Sequence, residues 1–326
     1  MDFRFSDDQL TLATSVRDYL SGTHGPEVLR HLDEAGPRDP AIWQGLVDMG
    51  LTGLLVPEAH GGLGMGLIEA ALIAAECGRA CLAEPLVDTA FVGVPWLLSQ
   101  GQTDGLADVV AGTRKLAPAH AINPWVADGD GDALVSVDPL RKLTVRVERS
   151  RDTAAQGVST SLDANGAGDD YLLNLGALMS AAQLVGLADA MLHQAVEYAK
   201  LRTQFGQPIG AFQGIKHQLA SCSVAIEFAK PVVWRAAAAL QDGLASAAAH
   251  VSHAKLAASD AAMLTAETAI QVHGAMGYTY EVDLHFWMKR SWALCGAWGD
   301  RAFHLKRIDD AVLGGSLPIG PEHTFA

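Results

Sequence analysis

The chain has 326 residues, 49% of them hydrophobic and only 18% charged, which supports a sizeable buried core and excludes a disordered polypeptide. A formal net charge of −14 argues against nonspecific nucleic-acid binding, which needs a basic surface, although a few local arginines suffice to hold a small anionic ligand. Four cysteines do not make a disulfide framework. Cys77 and Cys81, four residues apart in a helical-looking stretch, read as packing thiols rather than a metal pair.

The N-terminal residues lack the basic and then apolar regions of a signal peptide, and no uninterrupted apolar run approaches the roughly 18–20 residues of a bilayer span. The expectation is a soluble, cytoplasmic protein with no membrane and no nucleic-acid partner. Residues 1–104 read as a helical domain. Ser6, Asp7 and Asp8 cap a first helix whose apolar positions Leu10, Leu12, Val16 and Leu20 sit mostly at four-residue helical steps, and a second helix is predicted over Pro40 to Met49. The glycine-rich loop from Val56 to Gly66 does not spell G-x-G-x-x-G, since Leu67 stands at the third glycine, and no βαβ pattern surrounds it. An alanine-rich helix follows over Leu67 to Cys77. Residues 105–168 read as a short middle β domain, with strands predicted at Ala133–Val137 and Leu143–Val147. Residues 169–326 read as a four-helix bundle. Asp169 and Asp170 are expected to cap its first helix, which ends near Gly206. A second helix over Phe212 to Leu240 carries Pro231 as a kink, a third spans Ser246 to His273, and a last one lies beyond Asp283. The fold class is thus mainly α. A bundle alone names no reaction.

Two segments are more specific. Arg202, Phe205, Gly206, Pro208, Ile209, Phe212 and Gln213 match R-x-x-F-G-x-P-I-x-x-F-Q, and Gln271, Gly274, Gly277 and Tyr278 match Q-x-x-G-x-x-G-Y. Together they resemble the paired signatures of the acyl-CoA dehydrogenase family, and the order of helices, small β domain and bundle agrees with that family over nearly the whole chain. A guanidinium at a helix end can reach a phosphate bidentately, and Gly274 and Gly277 allow close backbone approach to a flat ligand. The resemblance implies an FAD site formed across a subunit interface, contacted by Arg202, Thr203, Phe205, Gln213, Gln271, Val272, Gly274 and Gly277. Phe205 and Gln213 also read as ordinary bundle-packing and helix-capping residues.

The pattern breaks at the proton acceptor. The family removes an α-proton with a carboxylate while hydride leaves the β-carbon. By resemblance that carboxylate follows a tyrosine in the last bundle loop, where this chain has Trp298 and Gly299, or stands early in the first bundle helix, where it has Gly176 and Ala177. The family's flavin-covering segment also has no counterpart in Leu116 to Pro124. This pattern resembles the small, base-lacking subunit of the heterotetrameric acyl-CoA dehydrogenases of actinobacterial steroid catabolism, as does the stretch from Gly277 to Arg290, with Tyr280 and Val282 as departures. The resemblance implies an α2β2 assembly with a longer acyl-CoA dehydrogenase subunit that carries the catalytic glutamate, a steroid-derived acyl-CoA substrate, and an electron acceptor such as an electron-transfer flavoprotein. Two alternatives stand beside it: a self-sufficient homo-oligomeric dehydrogenase or oxidase using Asp300 as base, and a catalytically silent scaffold or acyl-CoA-binding protein. Glu281 with His285 reads as a helix-capping acid and a packing histidine. His217, His250 and His253 lack zinc spacing, so no metal is expected.

Overall fold

Ser6 starts the first helix as its hydroxyl predicts. In the computed structural model, which describes residues 4–120, 122–123, 133–135, 167–317 and 320, α1 (Asp7–Thr23) carries a reciprocal capping box. Ser6 Oγ accepts from the Gln9 backbone N–H at 3.2 Å, and Gln9 Oε1 accepts from the Ser6 N–H at 2.9 Å. Ser6→Ala is expected to cost about 1 kcal/mol, seen as a lower thermal unfolding midpoint.

There follow α2 (Pro26–Asp33), α3 (Pro40–Asp48), α4 (Leu67–Arg79), a π-helical stretch at Val87–Gly93 running into α5 (Val94–Ser99), and α6 (Leu106–Val110). β1 (Leu116–Pro118) pairs in parallel with β2 (Ala133–Val135), Leu116 opposite Ala133 and Pro118 opposite Val135. Then come α7 (Ala167–Leu201), a short antiparallel pair β3 (Thr203–Gln204) and β4 (Gln207–Pro208), α8 (Gln213–Gln241), α9 (Ala247–His273), α10 (Leu284–Gly296) and α11 (Arg301–Leu313).

Several expectations need correction. α7 starts at Ala167, so Asp169 and Asp170 fall in its first turn instead of capping it. It stops at Leu201 rather than Gly206, because Ile209 N–H bonds the Arg202 carbonyl at 2.8 Å and folds the chain into the β3–β4 hairpin. The single last helix is two, α10 and α11. Cys81 lies beyond the end of α4 in a left-handed conformation. Both cysteines are buried, and burial pushes the Cys77 thiol up to about 12 and that of Cys81 up to about 11, so they pack as neutral thiols. The predicted strand at Leu143–Val147 lies outside the described residues. The stretch Asp170–Leu201 of α7 does reach the length and hydropathy of a bilayer span once isolated polar residues are averaged in; 89% of its most apolar window is buried, as in a core helix.

Contacts divide the chain into two compact units, one of Met1–Ile42, Gly66–Glu84 and Ala177–Ala326, the other of Trp43–Met65 and Pro85–Gly176. In the first, α9 packs against α8, α10 and α11, and α4 against α1 and α8. Small side chains let these helices approach: Ala229, Ala236 and Ala237 of α8 and Ala254, Ala258, Ala262 and Ala266 of α9 are fully buried or nearly so. Glu76, itself buried, takes a bidentate pair from Arg17 (2.6 and 2.9 Å) and a bond from Arg79 at 3.1 Å; Arg79 in turn pairs with Asp189. In the second unit, Thr89 Oγ1 exchanges hydrogen bonds with the Leu116 backbone (3.1 and 3.2 Å), and Trp43 donates its indole N–H to the Gly112 carbonyl at 2.8 Å.

Candidate functional site

The two sequence motifs meet at one end of the bundle. Tyr198, in the last turn of α7, stacks on His273, the last residue of α9, with ring centroids 4.3 Å apart. That stack seats the segment beginning at Arg202 beside the segment containing Gln271. His273 is fixed further by its Nδ1–H, which donates to the Ala269 carbonyl at 2.7 Å, and burial pushes its pKa down, so the ring is a neutral platform.

From this platform the β3–β4 hairpin projects. Thr203 faces Pro208 and Gln204 faces Gln207, which leaves a two-residue turn of Phe205 and Gly206 with φ of 53° and 82°. Such a turn follows the strand twist but needs two left-handed residues. Phenylalanine there costs about 1–3 kcal/mol of backbone strain. What the strain achieves is exposure: the Phe205 ring is 92% accessible, touching Phe212 edge-on at 6.2 Å. Bare phenyl rings at strained tips are the kind of outlier that points to a ligand or a partner.

Arg202, Thr203, Gln213, Gln271 and Gly274 are exposed at the same end. Among the described residues nothing pairs with the Arg202 guanidinium or with the carboxamides of Gln213 and Gln271. Gly274 ends α9 with φ 60°, and a β-carbon there would meet only open space, so the reason for glycine is the backbone conformation. Val272 and Gly277 do not join this exposed set. The Val272 side chain is 4% accessible, and Gly277 packs on Ile270 and His273. A helix repeats every 3.6 residues, so the neighbour of an outward Gln271 turns inward.

The donors present fit a dinucleotide: a free guanidinium and two carboxamides for phosphate and base edges, an open glycine for close approach, and an aromatic face for a flat ring. A cavity of about 800 Å³ in the same unit is lined in part by Arg17, Glu76, Arg79, Tyr198, His273 and Trp287. Its two arginines are already spent on Glu76 and Asp189.

The places where the family resemblance expects a proton acceptor hold no side chain. Gly176 is buried inside α7. Gly299 follows a buried Trp298, the two with φ of 98° and 57°. Asp300 caps a helix: its Oδ1 accepts the Phe303 N–H at 2.9 Å at the N-terminus of α11. Asp300→Ala is therefore expected to cost about 1 kcal/mol in thermal unfolding. Near this turn, sequence reasoning missed two fully buried polar residues, Lys255 and His304. A lone lysine on an alanine-rich apolar face was the available signal. Among the described residues no group of three or more metal-ligating side chains gathers.

Two family models match the chain: "Acyl-CoA dehydrogenase, N-terminal domain" over residues 6–104 and "Acyl-CoA dehydrogenase, C-terminal domain" over residues 170–313. Acyl-CoA dehydrogenase IpdE2 of Mycolicibacterium smegmatis is 30% identical over 322 residues, spanning 94% of this chain and 99% of the relative. The Mycobacterium tuberculosis protein of the same name is 30% identical over 84% of this chain and 90% of its own length. Among solved structures, the ChsE4-ChsE5 complex from Mycobacterium tuberculosis superposes with a TM-score of 0.80 at 21% identity, covering 96% of this chain and 99% of that one. Butyryl-CoA dehydrogenase from Megasphaera elsdenii gives 0.76 at 22% identity over 96% of this chain and all of that one. Agreement at that identity is agreement of fold. With its N- and C-terminal helical regions, its small sheet and 30% identity to IpdE2 over nearly its whole length, the chain belongs to the acyl-CoA dehydrogenase family of oxidoreductases.

Proposed function

We propose that this chain is one subunit of a heteromeric FAD-dependent acyl-CoA dehydrogenase that desaturates the α,β bond of an acyl-CoA thioester. The observation that carries the reading is the pair of glycines, Gly176 and Gly299, where the family resemblance expects a carboxylate. A longer partner chain brings the base, in an α2β2 assembly. When bound, FAD supplies the acceptor for the hydride leaving the β-carbon. This chain's part is to hold: Arg202 grips a phosphate, Gln213 and Gln271 offer amide groups to phosphate or base edges, and Phe205 covers the adenine, with Thr203 and the backbone of Val272, Gly274 and Gly277 beside them. The acyl group is steroid-derived, a side chain or ring fragment. Two solved neighbours of the same fold support that reading: the ChsE4-ChsE5 complex, which has two components, and the Tcur3481-Tcur3483 steroid ACAD. The partners would include an electron acceptor such as an electron-transfer flavoprotein, and the location would be the cytoplasm. Residues 1–104, 105–168 and 169–326 act as helical domain, short β domain and bundle.

The test is co-expression with an adjacent-gene acyl-CoA dehydrogenase chain against expression alone. Flavin absorbance and thioester oxidation are expected only from the complex, and Arg202→Ala is expected to strip flavin from it. An isolated chain that retains flavin and turns over a thioester removes the proposal.

A further inference from the structure

We infer that Lys255 and His304 form a buried clamp that locks the Trp298–Gly299 turn and closes the vacant base position to any side chain. The inference deepens the heteromer reading and rests on it for what the vacancy means, but its geometry stands apart from it. A vacant position could be a cleft from which a side chain was lost, or a place where none can stand. The structure favours the second.

α10 ends at Gly296, and like any helix it leaves its last carbonyls without amide partners. Lys255, from α9 and 1% accessible, delivers its ammonium Nζ to two of the carbonyls there, those of Leu294 and Ala297, the latter at 2.8 Å. A cation suits the negative end of a helix, and a buried ammonium is tolerable only when it is hydrogen-bonded in this way. His304, from α11 and fully buried, lies between Ser252 Oγ at 3.1 Å and the Trp298 carbonyl at 3.0 Å. The carbonyl can only accept, so Nε2 carries the proton and Nδ1 accepts from the serine hydroxyl. Two side chains from two other helices thus hold the carbonyls of residues 294, 297 and 298.

Between those anchors the backbone has one route. Ala297 is extended, Trp298 and Gly299 are both left-handed, and Asp300 returns to extended backbone to cap α11. A β-carbon at Gly299 would stand 2.5 Å from Phe303 Cδ1 and 2.8 Å from His304 Nε2, at a φ of 98° that L side chains rarely adopt. The obstruction is double. The imidazole that holds the Trp298 carbonyl is also what fills the space a side chain at 299 needs. Lys255 and His304 are positioning residues: they touch no reacting atom and decide what can stand there. A glutamate at 299 requires dismantling the clamp, so this chain cannot be re-armed by one substitution.

Thermal unfolding and hydrogen–deuterium exchange on the full chain test this. Gly299→Ala is expected to lower the unfolding midpoint about twice as far in the native chain as in one that also carries Phe303→Ala and His304→Ala. Folding only in the truncated background counts the same way; equal shifts, or none, overturn the closure. Lys255→Met is expected to speed exchange in residues 294–300 about tenfold while α4 keeps its protection. Unchanged exchange, or an equal rise in α4, overturns the clamp. None of these readouts depends on flavin or on a partner. Turnover by the isolated native chain, in contrast, removes the heteromer reading and leaves the clamp standing.

Discussion

Gly186→Ala is expected to destabilise the chain by about 3 kcal/mol or more, at or beyond the top of the usual range for overpacking. Gly186 lies on α7 where that helix crosses α4. A β-carbon there would fall 1.8 Å from the Ala75 carbonyl oxygen and 2.7 Å from the Arg79 nitrogen. The contact is reciprocal, since a β-carbon on Gly78 of α4 would lie 2.1 Å from the Gln183 carbonyl oxygen. Both obstacles are backbone, so no side chain can swing aside and the helices themselves must part. Parting them strains the pairing of Arg79 with Asp189 and the buried Glu76 beside it. Gly214, near the start of α8 with nothing within 4 Å of its added β-carbon, is the control. There alanine is expected to be neutral or to stabilise by about 0.4–1 kcal/mol, through lower chain entropy in the unfolded state. Urea unfolding of both variants checks the contrast; a similar small shift at both positions contradicts so close a crossing.

What could be read in the sequence follows the range of the interaction. Local chemistry was legible: Ser6 with Gln9 spells the cap of α1, Gly274 marks the end of α9, and the limits of α8 and α9 fall within a residue or two of expectation. α2 escaped, although Gly25 followed by Pro26 and Glu27 is a helix-start signal, because eight residues carry little apolar periodicity. β1 escaped because three residues ending in proline look like a loop until Ala133–Val135 lies alongside. The break between α10 and α11 had a visible marker in Gly296, Gly299 and Asp300. Its cause, though, is carbonyls held by Lys255 from a helix some forty positions earlier, which no window captures. At the candidate site the motifs located Arg202, Phe205 and Gln271. Their juxtaposition through the Tyr198–His273 stack is a tertiary fact. The same holds for Asp300: next to the vacant position it resembles a displaced base, and only the bond from Phe303 N–H shows it to be a cap.

Acidification from about pH 6.5 to about pH 3 is expected to remove up to about 5 kcal/mol of stability through His304 alone, taking about 1.36 kcal/mol per pKa unit. Burial is the main reason: it pushes this imidazole from its ordinary 6.5 down to about 3, with the Lys255 cation adding to the effect, the bond to the Trp298 carbonyl opposing it, and Arg307 and Asp300 acting more weakly in opposite senses. An unfolded chain binds a proton at this histidine near pH 6.5, whereas the folded chain refuses one until about pH 3. Over that window the unfolded state holds more protons, so stability is full above pH 6.5 and drains away as the pH falls. His250, pushed down to about 4 by burial, adds in the same direction. Urea unfolding at a series of pH values, native against His304→Gln, isolates the His304 share: the glutamine variant should lose about 1.4 kcal/mol per pH unit of slope between pH 6 and 4. Equal slopes contradict a neutral buried imidazole. The expected failure also has a place. Any opening of the Trp298–Gly299 turn that wets His304 lets the imidazole take a proton with its ordinary pKa, so that opening becomes easier as the pH falls, while openings that leave His304 buried gain nothing from it. In exchange measurements on the native chain at pH 4, residues 297–300 should therefore lose protection earlier than α8.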